Sequence, residues 1–434
     1  MKGTKSPLPD RLSFLLMLGT VAFSPILAGG VTPAGRAIIA IGGSIAGILS
    51  LATRNTSAPR GAIPILSTFL IFPLIGILQL VPVPDDLLRT LSPAADAAYE
   101  STNLIFSRAG EPMLYGSLSV NREATTSAVL LLIGVAGLAV AAARTVTSSR
   151  RRSILLNVLV ISVFAETTLG IIRDGFSRPL RGTFIVANHF ATCVAMVVAL
   201  AGAQLFLRRA KRGLHVPAIA MLPIVAILGA ILVGTFSRGA VAALAAAAAL
   251  YAFPRARMKA RDRMAIVAGL VLLALLMSLT FLGGQLQSES VRARIEIWRM
   301  GLRTAAAFPL AGSGLGAYGD AVQSSHDIQE STLVQHAHNG LLQIFMTAGA
   351  PGLVTLVVLA ILLGRALLTR AGAGESTAWA TGALLAAWTF GLHSMVEFSA
   401  SIPAVLAILA VITGSAFSSV SIRTPEAAAP VRSS

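Results

Sequence analysis

The sequence predicts an all-α integral membrane protein with about twelve transmembrane helices and a large outer loop bearing short helices. Three observations carry that prediction. Charged residues make up 12% of the chain and hydrophobic ones 55%, whereas a soluble domain is about 25% charged; the mean hydropathy is +0.79. Apolar stretches of spanning length recur from one end to the other. Basic residues collect in every second connection between those stretches.

Taking a span as ~20 mostly apolar residues, the stretches fall at 12–29, 34–52, 62–82, 125–143, 153–172, 187–207, 216–235, 238–253, 264–283, 341–363, 377–396 and 400–419. The first follows a basic start (Lys2, Lys5, Arg11) and would resemble a cleaved signal peptide, but with so many spans after it an uncleaved first helix is expected. The eighth is alanine-rich, which permits close helix packing. With both termini in the cytoplasm, the cytoplasmic segments hold 22 of the 34 basic residues and only four acids, Asp10, Asp262, Glu375 and Glu426. All four lysines lie on that side, and every outer cation except histidine is arginine. The formal charge of +16 thus follows from membrane topology, and no nucleic-acid partner is expected. One cysteine, Cys193, excludes an intrachain disulfide and a cysteine-ligated metal site.

The chain reads as a single polytopic membrane domain over 1–434, with membrane lipids as its surroundings. Two outer loops are long, 83–124 and 284–340, and a third, 173–187, carries Arg173, Arg178 and Arg181. Loops of that length are usually functional or disordered. The first has proline-led turns and is expected to form short helices on the membrane surface. The tail 421–434 is polar and proline-bearing, hence a disordered cytoplasmic segment.

The candidate chemistry gathers at outer span ends. His336 and His338, with Asn339 beside the second, stand where the second long loop enters the tenth span. Imidazole suits proton transfer near neutral pH, though two surface histidines capping a helix would look the same. Arg238 lies where one span ends and the next begins, a depth at which a cation is costly unless paired or facing water; snorkelling to the interface is the alternative. Arg292, Arg299 and Arg303 fall along one helix, with Arg294 and Trp298 four apart on another face. The segment PLAGSGLGAYG could bring backbone close to a phosphate or sugar, or simply turn. Asn188 and His189 follow Arg181 at the sixth span. His393 and Glu397 are four apart, which places them on one helical face as a hydrogen-bonded pair. Glu166 is the clear intramembrane acid, positioned to pair with an outer arginine or serve a proton path. No metal is expected: His336, His338, Asp327 and Glu330 lack the helical HExxH spacing.

Taken in order, GTFIVANHFA, TFSRGAVAAL, RIEIWRMGLRTAAAFPLAGSGLGAYG, HAHNGLLQIFMTAGAPG and HSMVEFSASIPA resemble the signatures of the O-antigen ligase and polymerase superfamily. LQLVPVPDDLLRTLSP and SLSVNREATTSAVLLL are similar to its exopolysaccharide-producing branch, so the likeness runs over about 70–415. It implies a GT-C-like, multi-pass enzyme of the bacterial inner membrane. Such an enzyme takes a glycan from an undecaprenyl-diphosphate-linked donor at the periplasmic face and passes it to lipid A core or a growing glycan. It implies no cofactor and no divalent metal. By the same resemblance the essential histidine falls on His338, the span-end arginine on Arg238, and the large-loop arginine on Arg294, with Arg292 an open alternative. A basic residue before GTF corresponds to Arg181. Asn188, His189, Arg292, His336, Asn339, His393 and Glu397 complete the expected substrate-binding set. The chain departs from the pattern at Met346-Thr347, where an acid is common, and at Glu397, where aspartate is common. Ligase, polymerase and protein-glycosylating activities stay open. A multi-spanning small-anion (bicarbonate-like) transporter is the competing reading; transport calls for mid-membrane ionisable groups and broken helices, and here only Glu166 fits that description.

Overall fold

A computed structural model describes residues 7–52, 63–176, 179–212, 216–252, 288–325, 334–371 and 377–418. Among the described residues the chain is helical, with no β-structure beyond one isolated bridge between Pro82 and Ser117. The helices are α1 (Leu8–Phe23), α2 (Pro33–Leu51), α3 (Ile63–Leu80), α4 (Asp85–Leu91), α5 (Pro93–Ala109), α6 (Arg122–Thr145), α7 (Ser149–Asp174) and α8 (Ala187–Arg212). They continue as α9 (Val216–Gly234), α10 (Arg238–Ala252), α11 (Ser288–Ala305), α12 (Tyr318–Ser325), α13 (Gly340–Ala371), α14 (Thr377–Ser394) and α15 (Pro403–Ala416). A helix occupies every expected span except 264–283, which lies outside the described residues, as does the tail 421–434. Among the described residues five helices, α2, α6, α7, α8 and α13, are long and apolar enough to cross a membrane, while α3, α9, α10 and α15 have shorter apolar runs. The chain is an all-α membrane protein.

Apolar pattern decides which helices sit inside. Helix α15, AVLAILAVITG at its centre, is apolar all round and is buried on nearly every side. It packs against α6, α8 and α14. Where backbones must touch, the residues are small: a Cβ on Gly43 of α2 would lie 2.1 Å from the Gly134 carbonyl oxygen of α6, so both positions need glycine. The alanine-rich α10 buries Ala240, Ala243 and Ala247 and lies against α14 and α8.

The two long loops fold onto each other. Leu88 and Ala95 from α4 and α5 share a small core with Phe308 and Ala321 of the second loop. The expectation of helices in the first loop therefore meets a layer of loop on loop. In PLAGSGLGAYG, Gly312 and Gly314 lie against the backbone of α13, while Gly316 lies against Ala124 O of α6. Helix α13 breaks at Gly349 (φ 68°, ψ −174°), two residues before Pro351. Proline has no N–H for the Thr347 carbonyl, and Ala350 N–H turns away to Pro309 O (3.0 Å). Two carbonyls are thereby freed, and the glycine-rich loop recaptures both. Ser313 N–H donates to Met346 O (2.8 Å) and Gly314 N–H to Thr347 O (3.2 Å). Gln79 Nε2 donates to Thr347 O (2.8 Å) and Ala311 O (2.7 Å), while Gln79 Oε1 accepts from Leu315 N–H (2.9 Å).

Gln79→Leu strips Ala311 O and Leu315 N–H of their side-chain partner, each worth about 1–3 kcal/mol if left unsatisfied, and leaves Thr347 O with Gly314 N–H alone. The expected result is a thermal midpoint several degrees lower in detergent, read by intrinsic fluorescence; an unchanged midpoint would show that the recapture does not stabilise the kink.

Candidate functional site

The site forms where several helices end together. Asn188 and His189 open α8, Arg238 opens α10, His338 and Asn339 precede α13, and α14 closes at Ser394. Side chains and backbones bring these ends into contact. A Cβ on Gly239 would lie 3.0 Å from His393, and one on Gly340 2.9 Å from Ser394 O. The polypeptide runs left-handed at His338 (φ 48°), an uncommon conformation for a non-glycine residue. That twist sets Asn339 as the cap of α13: its Oδ1 accepts from Leu341 N–H (3.0 Å) and Leu342 N–H (3.1 Å). Asparagine does the capping, so the histidines are free for other contacts. Gln343 holds the loop from inside, its Oε1 accepting from Ala337 N–H (2.8 Å).

Glu397 is the centre. Its side chain is 2% exposed and lies in the turn after α14. Oε1 accepts from Asn188 Nδ2 (2.6 Å) and pairs with the Arg294 guanidinium. Oε2 lies 3.4 Å from Nδ1 of His338, whose side chain is 31% exposed. Burial pushes the Glu397 carboxyl up, but His338, Arg294 and His393 together hold it below the ordinary glutamate value. The carboxylate thus stays charged and acceptor-only.

His393 does not pair with Glu397. Helix α14 ends at Ser394, so the four-residue spacing no longer describes one helical face. His393 Nδ1 instead meets Thr192 Oγ1 at 2.8 Å, and Ser399 Oγ lies 2.9 Å from the same hydroxyl. Thr192 has one hydroxyl hydrogen and donates it to Asn188 O (2.9 Å). The network then assigns Thr192 as acceptor from His393 Nδ1–H and from Ser399.

Phe398, next in sequence to Glu397, meets three imidazoles. His336 stacks on it (centroids 4.2 Å, planes 15° apart), while His189 (4.3 Å, 76°) and His338 (4.7 Å, 88°) meet it edge to face. His336 is pushed down to about 4, first by burial and then by the nearby His338 and Arg36. It is therefore neutral at working pH.

Other expected site residues lie elsewhere or outside the description. Arg181 pairs with Asp174 (2.9 Å), which also binds Arg173. Glu166 fastens the third loop: its Oε2 accepts from Thr183 N–H (2.9 Å) and Oγ1–H (2.8 Å). Arg238 is exposed at the start of α10. Arg299 pairs with Glu296 on the exposed face of α11 (3.6 Å), and Trp298 packs toward Tyr318 and Met346. The Arg292 side chain, Arg178, Asp327 and Glu330 lie outside the described residues. Among the described residues no three His, Cys, Asp or Glu side chains are grouped to hold a metal ion.

Sequence reasoning missed Phe398, Thr192, Ser399, Gln343 and Arg36. Only Arg36 carried a signal, as a lone arginine within the second apolar stretch; its Nη1 donates to Ser127 Oγ (3.1 Å).

A family model described as O-antigen ligase matches residues 223–357. This stretch belongs to the O-antigen ligase and polymerase superfamily. It carries Arg238, Arg294, His336, His338 and Asn339, while Asn188, His189, His393, Phe398 and Glu397 reach the same cluster from outside it. No curated protein matches the chain. Membership supports a membrane enzyme of glycan transfer, ligase or polymerase in type, in a multi-pass protein of the bacterial inner membrane; it lends no support to transport.

His336 and Glu397 act on stability in the same direction. His336 has a folded value of about 4 against an ordinary 6.5, so in that window the unfolded chain binds the extra proton and stability falls with pH. Glu397, held low when folded, withdraws its contribution further into acid as it is protonated. Stability should therefore fall, and thermal midpoints with it, as pH falls from about 6.5 to 4, with at most about 3 kcal/mol coming from His336. His336→Phe, which keeps the stacked ring, should flatten that slope in fluorescence-detected melts; an unchanged slope would assign the acid sensitivity to other groups.

Proposed function

We propose that the cluster around Glu397 is the active site of an inner-membrane glycosyltransferase. It moves a glycan from undecaprenyl diphosphate to an acceptor hydroxyl at the periplasmic face. The acceptor is lipid A core in a ligase or a growing glycan in a polymerase. The chain crosses the membrane about twelve times as one polytopic domain, with both termini in the cytoplasm. That topology puts the histidine loop on the donor's side.

The observation that carries this reading is one buried carboxylate touching His338, Arg294 and Asn188 at once. Contact with Glu397 occupies Nδ1 of His338 and leaves Nε2 for an incoming hydroxyl. His338 takes the hydroxyl proton as the oxygen attacks the anomeric carbon. The bond from that carbon to the diphosphate breaks, and undecaprenyl diphosphate departs with the electron pair. Attack opposite the leaving group inverts the anomeric centre. The imidazolium formed at His338 is stabilised by Glu397 at 3.4 Å. Negative charge grows on the diphosphate as it leaves, and a bidentate guanidinium meets such charge well. Arg238 and Arg294 fill that role, with Arg292 an alternative for the second. These cations do the work for which other transferases employ a divalent metal, so the reaction is proposed to be metal-independent. Asn188, His189, His336, Asn339 and His393 shape the site around the acceptor, and Arg181 binds the donor from the third loop.

His338→Ala should lower turnover by ~10²–10⁴, the usual contribution of a positioned base. Arg238→Ala should lower it by ~10²–10³, in line with loss of one charge-stabilising donor. Both variants should reach the membrane at normal levels. The assay uses purified undecaprenyl-diphosphate-linked glycan with the full chain in liposomes. Near-normal turnover in both variants would remove the mechanism.

A further inference from the structure

Three of the chain's six histidines, His189, His336 and His338, pack on the single ring of Phe398. They arrive from separate places: His189 from the first turn of α8, His336 and His338 from the loop before α13. A phenylalanine that only filled core would meet aliphatic neighbours in the usual proportion, and imidazoles are scarce in this chain. The ring is itself buried, at 7% exposure, and its backbone adjoins Glu397. The two neighbours thus address His338 in different ways, the carboxylate through Nδ1 at 3.4 Å and the phenyl ring at 88° to the imidazole plane.

We propose that Phe398 is a positioning residue, an aromatic wall that sets the orientation of the His338 imidazole while His336 and His189 brace the wall from its other sides. A carboxylate contact alone fixes one nitrogen and leaves the imidazole free to rotate about that contact. An edge-to-face contact with a fixed ring removes that rotation, because aromatic pairs have preferred geometries. The left-handed backbone at His338 adds to the need, since a strained residue keeps its conformation only where its surroundings determine it. The wall offers no hydrogen-bonding group, so it competes for neither imidazole nitrogen. Its ring faces carry partial negative charge and favour a cation that forms beside them. His338 becomes such a cation when it takes a proton, which is the one point where the inference rests on the glycan-transfer reading.

The test compares Phe398→Leu with Phe398→Tyr in the full chain, by two readouts. The first is the rate at which diethyl pyrocarbonate modifies His338, followed by peptide mass spectrometry. This requires no substrate. Leucine should speed modification several-fold by releasing the imidazole, and tyrosine, which keeps the ring, should restore the slow rate. The second is glycan transfer. Leucine should lower kcat about tenfold to a hundredfold, the effect of a small misplacement of a reacting group, with little change in the donor KM; tyrosine should recover most of it. A leucine variant with wild-type His338 reactivity and wild-type kcat overturns the proposal. So does a tyrosine variant as impaired as leucine, which would mark Phe398 as a volume filler. Should leucine misfold, Phe398→Met is judged by the same criteria, and misfolding of both also counts against a positioning role. Changed His338 reactivity in a protein whose wild type transfers no glycan would retain the positioning inference and end the functional one.

Discussion

One buried carboxylate organises this protein's chemistry. Glu397 lies in a turn within the helical bundle, 2% exposed, in a position where an unpaired charge would cost several kcal/mol. It is tolerable there because Asn188 donates a hydrogen bond to it, Arg294 brings a positive charge and His338 Nδ1 lies 3.4 Å away. Those partners come from α8, α11 and the loop before α13, elements far apart in sequence. The carboxylate is therefore also a spatial constraint: satisfying it requires the starts of α8 and α13 and the side of α11 to meet. Breaking such a pair leaves the other charge stranded, so the arrangement is held more firmly than the weak net energy of an ion pair suggests.

That constraint acts on a framework built to deliver it. Helix α13 must end its first segment near Gly349 for the glycine-rich loop to bond to it, and the carbonyls freed by Pro351 are taken up by Ser313, Gly314 and Gln79. The same loop follows α11, which carries Arg294. The kink is thus a joint between the helix that presents His338 at its start and the segment that presents Arg294. Met346 and Thr347, which depart from the superfamily's usual acid, are the residues whose carbonyls make this joint. Their backbone oxygens accept from the loop, and Met346 is fully buried in the small core beside Trp298 and Tyr318.

The apolar helices were legible from the length of their apolar stretches, because a bilayer demands that each crossing satisfy its own backbone. Arg238 and Glu166 were legible as residues that are expensive where they stand, whereas His338, Asn188 and Glu397 stood out as polar residues at outer span ends and Arg294 through the family resemblance. Their partners were not. Thr192 and Phe398 look like ordinary members of apolar runs, and their roles arise from contacts with His393 and with three imidazoles across the fold. Gln79 likewise bonds to residues more than 200 positions away, which no local pattern encodes. The pairing of His393 with Glu397 was misread for a related reason: helical spacing presumes that the helix continues, and α14 stops at Ser394 between them. The glycines of PLAGSGLGAYG were read as a backbone approach to a phosphate or sugar, or as a turn; Gly312 and Gly314 instead meet the chain's own α13.

The location of the cluster follows from the same physics that shapes the helices. Within an apolar slab, irregular backbone and ionisable side chains are affordable only at the ends of helices or beside water. Helices α8, α10 and α13 all begin at the cluster, so their positive dipole ends point toward it. This adds a fixed positive field to that of Arg294 and Arg238. A carboxylate buried there is stabilised by positive charge, and His338, Arg294 and His393 hold the Glu397 value low despite its burial. A diphosphate entering the same field would be drawn by the same sources. Glu397 then has two effects in one place: it neutralises part of the field around Arg294, and it keeps His338 oriented with one nitrogen free. A site of this kind relies on positioned charge and a single base, which suits a leaving group that departs readily once its charge is met.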